Sequence, residues 1–109
     1  MATARACYKR GRTTRLSAQA LIDGLPMSLA GKTLEVKLAP DEQSTNIITL
    51  TVSAGAGVAD AAQGRFWWEV TAANLTTLGN GDNIWTVINW FNADNTLAFE
   101  AYGMIEVRL

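Results

Sequence analysis

The stretch GRFWWEV, Gly64 to Val70, decides how this chain folds. It sets Phe66, Trp67 and Trp68 side by side, and neighbouring side chains on a strand point to opposite faces. Phe66, Trp68 and Val70 then share one apolar face, while Arg65, Trp67 and Glu69 share the other. The charged flanks of Trp67 assign it outward, and Trp68 belongs to the core. Buried aromatic rings bring roughly 150–250 Å² of contact area each, so Trp68 can anchor the packing of one β-layer on another.

Away from that strand, alternation with period two dominates and helical periodicity is nearly absent. Leu16, Ala18, Ala20 and Ile22 alternate with Arg15, Ser17, Gln19 and Leu21, and Asp23-Gly24 ends the run as a turn. Leu34, Val36 and Leu38 alternate with Thr33, Glu35 and Lys37 as far as Pro40. Ile48, Leu50 and Val52 alternate with Thr49, Thr51 and Ser53, and the glycines of SAGAG mark a break. A short strand is expected around Cys7 to Arg10. TAANLTTL, Thr71 to Leu78, is the one helical piece, with Leu75 and Leu78 capping the core.

NIWTVINWFN is apolar on both faces, with Trp85, Val87 and Phe91 on one and Ile84, Ile88 and Trp90 on the other. Such a strand is central in its sheet or covered by another chain. NADN reads as a hairpin turn. The closing strand points Leu97, Phe99, Ala101, Ile105 and Val107 inward, with Gly103 at a bulge or a close approach. About seven short strands of this kind predict an all-β, antiparallel two-sheet sandwich with one short helical turn. The 109 residues make one domain, 1–109, with no internal repeat, and residues 1–7 read as a flexible basic arm.

Apolar residues make up 49% of the chain and charged ones only 17%, which argues against disorder. No apolar run approaches the ~20 residues that cross a bilayer. The arginine-bearing start is not followed by an apolar segment, so no signal peptide is expected. The lone Cys7 excludes an internal disulfide and reads as a small apolar side chain. The net charge of −1 hides an asymmetry: Arg5, Lys9, Arg10, Arg12 and Arg15 are five of the nine basic residues, and no acid precedes Asp23. Such an arm suits a solvated strand edge or an acidic patch on a neighbouring subunit. Nucleic acid is not expected, since base-stacking aromatics are missing there apart from Tyr8.

Histidine is absent, which removes the commonest general base and a common metal ligand. Asp41 and Glu42 look like solvated turn residues rather than a catalytic pair, and NGDN and NADN lack the oxygen spacing of a calcium loop. GAG and GNG are too short for phosphate-binding loops. No enzyme, cofactor or metal is expected, which leaves binding or building. Trp67 has three readings: a sugar-stacking platform, a contact covered by another subunit, or a ring shielded by a neighbouring arginine and loops. Trp90, grouped with Ile84 and Ile88, reads as a second outward apolar cluster and favours the subunit contact. Trp67, Trp90, Arg65, Ile84 and Ile88 are therefore the interface or ligand-contact candidates.

YKRGRTTRLSAQALIDGLPMSLAGKTLEVKL resembles the opening of small phage and prophage tail proteins with an immunoglobulin-like sandwich, akin to the N-terminal domain of baseplate upper proteins. Gly11, Thr13 and Leu16 match a basic-Gly-Asp-Thr turn and its strand, with Arg12 in place of the usual acid. Gly24, Pro26, Leu29, Gly31 and Thr33 match the following turn, with Ser28 near a position often held by Asp. Asp60, Ala61, Ala62, Gly64 and Phe66 carry a third match, and the closing IEVRL is similar to the family's last strand. The resemblance implies a non-catalytic structural part of a tail or baseplate, working with other copies of itself and other tail proteins. It implies a place in the host cytoplasm during assembly and then in the virion. The alternative expectation is a carbohydrate-binding adhesion module built on Trp67.

Overall fold

The computed structural model describes residues 7–79 and 81–108, so most of the basic arm, Arg5 included, lies outside the described residues. Ten strands and one helix follow the order β1 (Tyr8–Lys9), β2 (Thr14–Gln19), β3 (Leu21–Ile22), β4 (Leu25–Pro26), β5 (Thr33–Ala39), β6 (Ile48–Val52), β7 (Gly55–Asp60), β8 (Arg65–Val70), α1 (Ala72–Thr77), β9 (Asn83–Phe91) and β10 (Leu97–Arg108) among the described residues. The all-β expectation holds. The strands do not divide into two separate sheets, however: eight of them form one sheet in the order β1-β10-β9-β5-β6-β7-β8-β2.

That order forces the sheet to curl. β1 and β2 occupy opposite edges, yet only Arg10 to Thr13 join them. Eight strands laid flat would span roughly 34 Å, whereas the link from Lys9 to Thr14 reaches no more than roughly 18 Å. In fact the Lys9 amide donates to Thr14 Oγ1 at 2.9 Å. The two edges have come round to meet, and the result is a nearly closed barrel.

Two devices make the curl. After β6 the chain coils once through Ser53 (φ 70°) and Gly55 (φ 96°) and continues in the same direction as β7, so the two pair in parallel at Thr51–Gly55 and Val52–Ala56. β6 bonds to β5 and β7 bonds to β8, so this bent strand turns a corner between walls. The break expected at SAGAG is therefore a corner, followed by a strand that alternation missed. At the other device, the Ala20 amide donates to the Gly64 carbonyl and its own carbonyl accepts from Met27, both at 2.8 Å. These bonds end β2 and release the β3–β4 hairpin, whose Asp23-Gly24 turn has both φ values positive (52° and 79°). Ile22, expected inward, is thus exposed on that hairpin.

Inside the barrel, Phe66, Trp68 and Val70 are buried, as alternation predicts. Phe66 packs on Trp68 at 6.0 Å between ring centroids and meets Trp90 edge-on at 5.4 Å. The Tyr8 side chain enters from the sheet edge. Its hydroxyl accepts from Trp68 Nε1 at 3.1 Å and lies 2.8 Å from Thr86 Oγ1, bridging β8 to β9. Met27 and Leu29 are buried near the start of β8, and Leu75 and Leu78 near its end. The expected helical piece is α1, held by a reciprocal cap in which Thr71 Oγ1 accepts from the Asn74 amide and Asn74 Oδ1 from the Thr71 amide.

The double-faced strand resolves against expectation. β9 lies between β5 and β10, with Leu34 opposite Trp90 and Val36 opposite Ile88. Directly paired residues share a face, and Leu34, Val36 and Leu38 point inward, so Ile84, Ile88 and Trp90 are carried inward at 1%, 8% and 0% exposure. In β10 the register slips between Leu97 and Phe99, which leaves Leu97 exposed. Gly103 pairs in register with Thr86, so the bulge lies elsewhere than expected. At the β9–β10 turn, Asp94 Oδ1 accepts from the Thr96 hydroxyl and amide, and these bonds hold its carboxyl below the usual range.

Burial pushes the Tyr8 hydroxyl above its ordinary pKa of 10.0, outweighing the bonds to Thr86 and Trp68. The folded chain keeps a proton that the unfolded chain releases. Stability from this group is full below pH 10 and falls as pH rises from there through the folded value. Tyr8→Phe should cost about 1–3 kcal/mol, since it strands Trp68 Nε1 and Thr86 Oγ1 in the core. Urea melts at neutral pH and at successive alkaline values check both points. The variant should melt earlier at neutral pH and lose less on going alkaline.

Candidate functional site

The outer face of β8 carries Arg65, Trp67 and Glu69, and β2 runs beside it with Arg15 opposite Glu69, Ser17 opposite Trp67 and Gln19 opposite Arg65. Trp67 is half-buried, and its ring is packed by two neighbours. The Arg15 guanidinium carbon sits 3.8 Å from the ring centroid. Glu69 Oε1 holds that guanidinium through Nε at 3.0 Å and Nη2 at 2.8 Å. Gly57 of β7 also lies against the ring, where an added Cβ would stand 2.5 Å from Trp67 Cζ2. Gly57 is therefore a strand glycine required by close approach. Trp67 does face outward, but as a ring packed against a glycine and an arginine. A sugar could stack on it only after Arg15 left.

Arg65, exposed at the next outward position, borders an open groove of about 430 Å³ shared with Ser17, Ala18, Gln19, Ala59 and Phe66. Arg65 and Trp67 thus share a surface. Trp90, Ile84 and Ile88 do not join them, because all three are in the core. Trp90 Nε1 is buried without a hydrogen-bond partner among the described residues, an unfavourable arrangement that the ring packing around it must offset.

The inversion of β9 exposes its other row. Trp85 and Val87 point out, opposite Met104 and Tyr102 of β10 respectively. Tyr102 is 67% exposed and Met104 50%, and the Trp85 and Tyr102 rings lie 5.5 Å apart. Contiguous outward apolar groups of this kind are uncommon on a monomer surface without a role. Reading β9 alone did not select this face, because both rows carry large apolar residues with polar ones among them, Thr86 in one and Asn83 and Asn89 in the other. The deciding signal is the pairing of β9 with β5, whose own inward row is plain.

Among the described residues, no group of three or more His, Cys, Asp or Glu could hold a metal ion. No helix among them is long and apolar enough to cross a membrane. Cys7 is a free, half-buried thiol. No protein-family model matches the chain, and no curated protein is significantly similar to it.

Gly57→Ala should drive Trp67 out of its seat and shift its fluorescence to the red. Arg15→Ala should uncover the ring yet cost no more than about 1 kcal/mol, because the ion pair and the cation–ring contact are both solvent-exposed. Emission spectra and chemical melts of the two variants check the pair of expectations.

Proposed function

We propose that the chain is a non-catalytic structural module of a phage or prophage tail or baseplate, acting through contacts between sheet faces and edges. The observation that carries this reading is the outer face of β9 and β10, where Trp85, Val87, Tyr102 and Met104 form an apolar surface. β10 pairs along one side with β9, but on its other side meets β1 only at Val107 and Arg108. Among the described residues, Leu97 to Ile105 pair in a ladder with β9 alone. A contiguous apolar face of this kind is suited to binding another protein surface.

The partners are other copies of the chain and other tail proteins. The immunoglobulin-like description belongs to the same proposal: two opposed walls joined through the Ser53–Gly55 corner offer the outer faces that such a sandwich would. Its site of action is the host cytoplasm during assembly and then the particle. The carbohydrate-binding alternative is the weaker reading, because Arg15 already occupies the stacking face of Trp67.

Mass spectrometry of particles purified from cells that encode this chain tests the reading. The chain should be found in stoichiometric amount in the tail fraction, and its absence from particles that assemble normally would overturn the proposal. A glycan array should show no Trp67-dependent binding; a sugar that quenches tryptophan emission in the parent but not in Trp67→Ala would favour adhesion instead.

A further inference from the structure

We propose that the outer face of β5, β9 and β10 is a self-complementary surface on which a second copy of this chain docks face to face. The proposal rests on the assembly reading above and names its partner and geometry.

Strand register sorts this face into rows. Ala39, Trp85 and Met104 lie side by side, and next to them come Lys37, Val87 and Tyr102. Glu35, Asn89 and Glu100 form the third row, and Thr33, Phe91 and Leu97 the fourth. A two-fold axis crossing the strands between the second and third rows exchanges the first row with the fourth and the second with the third. Contacts in such a pair are made twice, once from each copy.

The exchange is complementary at four of the six positions; at the other two, Val87 meets Asn89 and Ala39 meets Thr33 of the second copy. Trp85 meets Phe91 of the second copy, and Met104 meets its exposed Leu97. Lys37 meets Glu35 of the second copy, and the Tyr102 hydroxyl meets the Glu100 carboxylate. Phe91 also forms one wall of a hollow of about 260 Å³, with Thr33, Glu35, Thr51 and Asn95 around it, which gives the incoming Trp85 ring a recess to approach. Asn89 lies beside the axis; it is 8% exposed, and its Oδ1 has no hydrogen-bond partner among the described residues. Within one copy, Lys37 Nζ already sits 3.3 Å from Glu35 Oε1 on this face. Across the axis the two pairs become an alternating cluster of four charges, which fixes register and rejects a slipped arrangement.

Charge exchange gives a test that does not depend on the core. Sedimentation equilibrium of the whole chain across the micromolar range should show reversible dimers. Lys37→Glu or Glu35→Lys should each weaken dimerisation by roughly tenfold or more, since like charges then face each other. The double exchange, Lys37→Glu with Glu35→Lys, should restore it. Tyr102→Ser should weaken it with no change in charge. Circular dichroism should stay unchanged in all four variants, because these side chains are at the surface.

A chain that stays monomeric throughout overturns the proposal. So does a dimer that tolerates every variant, or singles that are not rescued by the double exchange. None of those results touches the tail-module reading, which stands or falls on the presence of the chain in particles.

Discussion

The Tyr8 hydroxyl holds this barrel shut. Its strand, β1, is only two residues long and pairs with the far end of β10. Two ladder positions are little to secure a sheet edge. What secures it is the side chain, buried at 0% exposure and bonded to groups on β8 and β9, which lie four strand steps apart through the sheet. A hydroxyl can accept one bond and donate another. That dual capacity lets one buried polar group satisfy both Trp68 and Thr86, so the core carries a polar chain without orphaning either end.

The curl that Tyr8 closes depends on small residues placed where the chain must turn or come close. At the corner, Gly55 has a positive φ and passes so near Leu50 that an added Cβ would stand 2.8 Å from its Cδ2. Gly57 gives Trp67 its seat. At Gly64, also at positive φ, an added Cβ would stand 2.7 Å from both the Ala20 and Met27 carbonyl oxygens. Each glycine is set by what crosses over it. A sequence reading sees only a break in alternation at these places, which is why β7 was not legible and its corner looked like a loop.

Surface charge is arranged around the same architecture. Arg15 belongs to the basic early part of the chain, yet it finds its partner in Glu69, brought opposite it by the β2–β8 register. This contact shields Trp67 and turns a prospective ligand platform into a closed stack. The exposed apolar surface moves accordingly to β9 and β10. Both shifts follow from pairing between strands that are distant in sequence, and neither could be read from one strand.

Local pattern by itself determined that the chain is all-β, that Phe66 and Trp68 are inside with Trp67 outside, and that a short capped helix follows β8. These outcomes depend on interactions between near neighbours: pleat geometry, a flanking charge, and a Thr and an Asn three residues apart. Tertiary structure alone decided that the strands make one curled sheet instead of two layers. It alone decided that Ile84, Ile88 and Trp90 turn inward and that Trp85, Tyr102 and Met104 face solvent. The physical reason is register. A strand that is apolar on both sides has no internal preference for either face, and only the strand hydrogen-bonded beside it can break the tie.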